Sequence, residues 1–401
     1  MDIKGMYNEA KIFTDKVEDT ALRQVEDMCN TDFLEGNKIR MMPDIHAGKG
    51  CTIGTTMTIG DIVVPGHVGV DVGCGLITVS LDEYDLDFNK LDKVIKEHVP
   101  NGSNNYLEAR YISKKGKKEY NIKDVLSQER MDKALGTLGG GNHFIEVSRD
   151  GTGRHYLVIH TGSRYLGAKV ATEYQKRANA LYTKNDTKEL INKMKKEGRH
   201  QEIESELRKL KDKNKVYEGV VMYLEGQDME DYLHDLGLAQ EFARENRLNI
   251  VNTIVDNMGW NVETYFDTIH NYIDLDRMIL RKGAVRAEKE EKLIIPINMR
   301  DGSLICVGKG NEEWNYSAPH GAGRVLSRRK ARENLNVREF KEQMSGVWTS
   351  SVGEDTIDEA PGAYKNIEDI VDNIGDTVDI KQHLKPVYNF KAKEGKPFWM
   401  K

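Results

Sequence analysis

Hydrophobic positions along the chain follow two periods. Between residues 39 and 82 they come in short, β-branched runs at 39–43, 51–54, 61–64 and 76–81, separated by glycine-rich turns. Short runs of this kind predict strands rather than helices. Residues 84–98 predict a short helix. Residues 136–147 read as a glycine loop running into a strand, and 155–160 as a strand that ends on His160. Between 226 and 259 the period changes to about 3.6, with Leu233, Leu236, Ala239, Phe242 and Ala243 on one stripe, which predicts a pair of helices. Short strands and glycine loops return from 280 to 330. Residues 366–383 alternate Ile or Val with Asp, and 386–391 predict a terminal strand. With no internal repeat and no low-complexity linker, the pattern predicts one intertwined α+β domain over residues 1–401.

One segment departs from this pattern. Residues 168–219 are poor in glycine and predict a charged helical insertion projecting from the body. From Lys184 to Lys215 eleven Lys/Arg face seven Asp/Glu, a local net charge of +4. Mixed-sign helical charge reads first as a solvated surface and second as a basic arm that touches a polyanion.

The whole chain of 401 residues carries a net charge of -6, with 38% hydrophobic and 31% charged residues. That balance excludes a broadly basic nucleic-acid coat, so any nucleic-acid site must be a local patch. No apolar run approaches the roughly 20 residues that cross a bilayer, which excludes a transmembrane helix. Residues 1–5 lack a basic stretch followed by an apolar one, and the four cysteines are widely spaced. Both features predict a cytoplasmic protein without a disulfide framework.

Candidate chemistry gathers at the glycine clusters. His143 follows Gly139-Gly140-Gly141-Asn142, and His160 precedes Thr161-Gly162-Ser163-Arg164. His270 precedes Asn271, and His320 lies in Pro319-His320-Gly321-Ala322-Gly323-Arg324. Asp71-x-x-Cys74 is threaded between Gly69, Gly73 and Gly75. Thiolate, imidazole and carboxylate are the donors of a borderline divalent metal. Alone, Cys74 reads as a small buried hydrophobe; together with four histidines at glycine turns, it reads as a metal site. The loops Gly139–Asn142 and Gly321–Arg324 expose backbone N–H groups suited to phosphate, and Arg164 and Arg324 add guanidinium forks. His320 sits inside such a loop, where a histidine serves as ligand, general base or nucleophile.

Five segments, taken in order, resemble the signature motifs of the RtcB family of RNA ligases: 42–50, 68–75, 139–146, 160–164 and 320–324. The resemblance runs from about residue 40 to residue 391. It implies an α+β architecture peculiar to that family. It also implies a GTP- and Mn2+-dependent enzyme joining RNA 3'-phosphate or 2',3'-cyclic phosphate ends to 5'-hydroxyl ends. The implied route runs through a guanylylated histidine and an RNA-(3')pp(5')G intermediate.

By this resemblance His320 is the guanylylated residue. Asp71, Cys74 and His143 hold one metal ion, and Cys74, His160 and His270 hold the second. Asn142, His143, Phe144, Ile145 and Glu146, with His270, Asn271, Asn298 and Ser303, match nucleotide contacts. So do His320, Gly321, Ala322, Gly323 and the near-terminal Lys391. The implied partners are such RNA ends, GTP and an activator of the archease type, with no membrane.

The family's Pro-Gly-Ser-Met-Gly segment is here Pro296-Ile297-Asn298-Met299-Arg300, which predicts a divergent branch. The competing reading is a metal-dependent phosphoesterase of RNA ends that uses the same ligands without guanylylation.

Overall fold

A computed structural model describes residues 1–207 and 222–392. The fold is α+β, built on two sheets. The first contains β1 (Asp2–Lys4), β2 (Glu9–Ile12), β3 (Ile39–His46), β4 (Ile53–Thr58), β11 (Asn271–Asp274) and β12 (Ile279–Lys282), in the order β1-β2-β3-β4-β12-β11. The second contains β6 (Gly75–Leu81), β7 (Phe144–Arg149), β8 (His155–Thr161), β10 (Val262–Ile269), β14 (Lys292–Asn298), β15 (Gly302–Gly308) and β17 (Val378–Lys391). Its order is β10-β6-β8-β7-β17-β15-β14. Two small pairs, β5 (Ile62–Val63) with β9 (Leu224–Glu225) and β13 (Ala284–Arg286) with β16 (Ser317–Pro319), complete the strands.

The strands predicted from short apolar runs are present. β6 and β8 are buried on both faces; the β6 row opposite Ile77, Val79 and Leu81 holds Leu76 and the small buried hydroxyls of Thr78 and Ser80. Ile77, Val79 and Leu81 of β6 face one core and Leu76 faces another. α1 (Asp19–Cys29) packs on the first sheet. α2 (Phe88–His98) packs with α4 (Gly226–Met258) on one face of the second.

The expected helix pair at 226–259 is instead this single helix, α4. Its buried stripe passes Gly237 without a break, through Leu236, Ala239, Phe242 and Ala243, so packing outweighs the roughly 1 kcal/mol that a mid-helix glycine costs. The helix ends at Gly259, whose φ of +73° is the left-handed cap that glycine tolerates best. α3 (Arg164–Lys196) covers the start of the charged insertion. Residues 184–207 carry equal numbers of acidic and basic residues. The excess of +4 comes from 208–215, which lies outside the described residues.

α4 also braces the ends of the central strands. Its buried Arg247 donates twice to Asp267 of β10, at 2.6 and 2.7 Å, and to the carbonyls of Gly73 (2.8 Å) and Thr161 (2.9 Å). The neighbouring Asn246 accepts from the amides of Gly136 and Thr137 and donates to the carbonyls of Thr137 and Gly162. One helical turn thus ties together the loops that carry Cys74, the glycine run and the end of β8. Removing the guanidinium strands a nearly buried carboxylate. Arg247→Ala is therefore expected to cost about 3–5 kcal/mol in urea denaturation. A loss below about 0.5 kcal/mol would show that the brace carries no weight.

Candidate active site

Strand register brings the sequence-predicted donors together. Leu76 of β6 pairs with His160 of β8, and Phe144 of β7 pairs with the same His160. Ile269 of β10 pairs with Gly75 of β6. Cys74, His143, His160 and His270 therefore occupy the same end of four adjacent strands. The backbone amide of His270 donates to the Cys74 carbonyl at 2.8 Å, and the Gly73 amide donates to the Asn271 carbonyl at 2.7 Å.

Two overlapping donor groups result. In the first, His143 Nε2 lies 2.9 Å from Asp71 Oδ2 and 3.4 Å from Cys74 Sγ. In the second, His160 Nε2 lies 3.2 Å from Cys74 Sγ and 3.0 Å from His270 Nε2. Within each group all donor atoms lie within 4.8 Å of one another. Cys74 belongs to both.

The surrounding carbonyls orient the rings. His143 Nδ1 donates to the Leu138 carbonyl (2.8 Å) and His160 Nδ1 to the Asn142 carbonyl (3.2 Å), which leaves each Nε2 facing the donor cluster. Burial holds His160 and His270 well below the ordinary histidine range, so both are neutral. Burial alone raises Asp71, but the adjacent His143 outweighs it and keeps the carboxylate ionised. Burial, reinforced by Asp71, pushes the Cys74 thiol far up, a balance that a bound cation inverts. His270 Nδ1 is buried with no hydrogen-bond partner among the described residues. Gly162 is required here, because a Cβ on it would lie 2.2 Å from Asp71 Oδ1. Soft sulfur, neutral imidazole and an ionised carboxylate fit divalent cations at this place.

Beside the donors lies a cavity of about 350 Å³. Its walls include Asn142, Phe144, Glu146, Asn271, Asn298, Ser303, His320, Gly321, Ala322, Gly323 and Lys391, all singled out in the sequence. Ile145 is not in the wall. Strand alternation turns its side chain into the opposite core, against α2 and α4. His143 and His270 lie deeper, with the donors. Arg164 does not line the cavity; it donates to Thr137 Oγ1 and the Gly102 carbonyl beneath the glycine loop. Asn298 spends its side chain on its own turn, accepting from the amides of Arg300 and Asp301 and donating to the Asp301 carboxylate.

His320 follows β16 and packs against His270, ring centroids 4.7 Å apart and the planes tilted by 36°. Its Nδ1 donates to Asp44 Oδ2 at 2.6 Å, and Asp44 is fully buried on β3. This leaves Nε2 as the free lone pair. Gly323 has φ +75°, and a Cβ there would lie 2.3 Å from the Asp44 carbonyl, so the loop can close over Asp44 only with glycine at this position.

Sequence reasoning missed three groups. Asp44 lies within the 42–50 motif without an evident role; its signal is a carboxylate between the buried Met42 and Ile45. Glu359 precedes Pro361-Gly362, a sequence typical of an exposed turn. It is instead buried and accepts from Lys391 Nζ (2.6 Å), Tyr364 Oη (2.6 Å) and Arg324 Nη1 (3.2 Å). Tyr364 also underlies the Arg324 guanidinium, 5.0 Å from the ring centroid. Burial raises Glu359, but Lys391, Arg324 and Arg328 overcome it and bring the group down to about 2.

A cluster of thiol, imidazole and carboxylate donors beside a cavity walled by Lys391, Arg324 and Arg328, with a histidine nitrogen held free between them, is the equipment of a class, that of metal-assisted phosphoryl- or nucleotidyl-transfer enzymes. Comparison with known proteins narrows the class. The family profile described as tRNA-splicing ligase RtcB matches residues 24–392. The RNA-splicing ligase RtcB of Escherichia coli strain K12 is 30% identical over 408 aligned positions, covering 88% of this chain and 90% of that protein. RNA-splicing ligase RtcB2 of E. coli strain ATCC 25922 is 25% identical, covering 95% and 94%. The tRNA-splicing ligase RtcB of Pyrobaculum aerophilum is 26% identical, covering 83% and 82%. The chain belongs to the RtcB family and is by class an RNA ligase.

Glu146 generates a prediction of its own. Burial raises its carboxyl from 4.5 to about 7 against hydrogen bonds from Ser148 and Asn389 and the charge of Lys391. Between those values the folded state holds a proton that the unfolded state has lost. Folding stability should therefore fall as pH rises from about 4.5 to about 7, and the contribution should be gone above that. Urea midpoints across this window should fall less in Glu146→Gln than in the parent. Parallel curves would refute the assignment.

Proposed function

We propose that this protein is a GTP- and Mn2+-dependent ligase that joins RNA 3'-phosphate or 2',3'-cyclic phosphate ends to 5'-hydroxyl ends. The observation that carries this reading is His320, held at Nδ1 by a buried carboxylate and 4.7 Å from the ring of His270 at the edge of the cavity. A histidine with that partner presents an Nε2 lone pair in a fixed direction. Attack on the α-phosphorus of GTP forms an N–P bond and releases pyrophosphate. An oxygen of the RNA 3'-phosphate then displaces His320 and takes the GMP, giving RNA-(3')pp(5')G. The 5'-hydroxyl, losing its proton, finally attacks the 3'-phosphorus and GMP leaves. A 2',3'-cyclic end is first opened by water.

The chain's own residues divide this work. Asp71, Cys74 and His143 would hold one cation, and Cys74, His160 and His270 the other. When bound, the cations supply positive charge against the phosphate oxygens. The glycine-loop amides around Asn142 and Gly321–Gly323 cradle anionic groups without side-chain bulk. Phe144, with Lys391 Nζ 5.5 Å from its ring centroid, offers a flat apolar face to the base. Asp44 positions His320. Sulfur and imidazole also suit Zn2+, so the choice of Mn2+ rests on the family resemblance.

Incubation with α-labelled GTP and Mn2+, followed by a denaturing gel, tests the reading. The parent should carry covalent label, and His320→Ala should carry none while keeping both cations. Label that persists in His320→Ala would move the nucleophile elsewhere. Phosphate release from RNA ends without protein labelling would instead support a phosphoesterase.

A separate prediction concerns the shared sulfur. Cys74→Ser exchanges the one donor common to both groups for a neutral hydroxyl. Metal analysis of the purified variant should show both cations lost. Two retained equivalents would exclude a bridging thiolate.

A further inference from the structure

The basic residues of this chain are not spread evenly. Residues 324–343 contain seven Lys/Arg and three Asp/Glu, a local net of +4, which leaves the remainder of the chain at -10. This segment leaves the cavity directly after the loop that carries His320. It forms two short helices, α5 (Arg328–Asn334) and α6 (Val337–Gln343).

The two sides of the segment differ. Inward, Arg324 and Arg328 line the cavity, and Arg328 lies over Gly141 of the glycine loop. Arg324 and Arg328 lean on Glu359, while Arg328 and Arg332 lean on Asp358. Outward, Arg329, Lys330, Arg338 and Lys341 are exposed, interspersed with the exposed Glu333, Glu339 and Glu342. The side chains of Arg329 and Arg338 are 83% and 89% accessible. Among the described residues, each pairs with a carboxylate one turn on along its own helix, Glu333 at 3.7 Å and Glu342 at 3.0 Å. Exposed pairs of this kind contribute little and yield readily to a stronger anion. Within the two helices Ala331 and Phe340 are buried, and Leu335 and Val337 are half-buried against the small core around Phe340, so the charges dominate their outer surface.

We propose that the outward face of residues 328–341 is the track along which the strand bearing the 3'-phosphate runs away from the cavity. Arg329, Lys330, Arg338 and Lys341 would contact its backbone phosphates. The assignment rests on the ligase reading above and adds the path and polarity of the RNA. Three observations support it: the charge, its continuity with the cavity through Arg324 and Arg328, and the weakness of the exposed pairs on the outer face. The charged insertion is the weaker candidate, because its described part, residues 184–207, is electrically balanced.

The test is a fourfold variant, Arg329→Gln, Lys330→Gln, Arg338→Gln and Lys341→Gln, in the full chain. Binding of a single-stranded RNA with a 3'-phosphate should weaken at least about tenfold at low salt. The slope of log affinity against log salt should become shallower by about 0.7 for each phosphate that the variant no longer neutralises. Labelling of His320 by GTP should match the parent, which also reports that the variant is folded. Unchanged affinity and slope, with labelling intact, would overturn the track. So would a loss confined to a 5'-hydroxyl strand without a 3'-phosphate. Absence of labelling in the parent itself would instead overturn the ligase reading.

Discussion

The Cys74 sulfur sits 3.4 Å from one imidazole nitrogen and 3.2 Å from another, with a third nitrogen and a carboxylate oxygen close behind. Electron-pair donors that converge in a buried space repel one another unless protons or cations lie between them. The Leu138 and Asn142 carbonyls take the Nδ1 protons of His143 and His160, so lone pairs of those two rings face the Cys74 sulfur. The backbone must therefore hold the donors in place against their own repulsion, and much of the architecture is arranged to do so.

Three devices supply that restraint. The register of β10, β6, β8 and β7 fixes the donors at one end of the sheet. Arg247 and Asn246, on one helical turn of α4, bind the loops between those strands through their backbone groups. Glycine at 162 and 323 removes the Cβ atoms that would separate Asp71 from its neighbours and the His320 loop from Asp44. The same helix packs its other residues into the core under the sheet. Stability and site geometry are thus linked through α4, and a change on its buried face reaches the donors without touching them.

The strands, the glycine loops and the donor residues were legible in the sequence because each is local. A β-branched run, a triple glycine or an Asp-x-x-Cys spacing announces itself within a short stretch of chain. The partnership of Asp44 with His320 spans 276 positions, and the cage around Glu359 draws on residues 324, 364 and 391. Such pairings exist only once β3 lies beside the His320 loop and β17 closes the cavity. The exclusion of Ile145 from the wall was in principle readable from strand alternation, but only after β7 had been given its facing. The pair of helices expected at 226–259 is one helix, because the buried stripe of α4 runs past Gly237 without a break.

The two buried carboxyl groups in the cavity wall show how one enclosure sets opposite protonation states. Glu146 meets hydroxyl and amide donors and keeps a raised affinity for protons, near 7. Glu359 meets two guanidinium groups and an ammonium group and stays ionised down to about 2. Lys391 is common to both: it bonds Glu359 directly and acts on Glu146 through space. Glu359 therefore holds the cations of the wall in place before any ligand arrives, while Glu146 can donate as well as accept a hydrogen bond near neutral pH. Under the ligase reading proposed above, neutral hydrogen-bonding capacity and preorganised positive charge in one cavity would serve a ligand that joins a polar ring edge to phosphate groups.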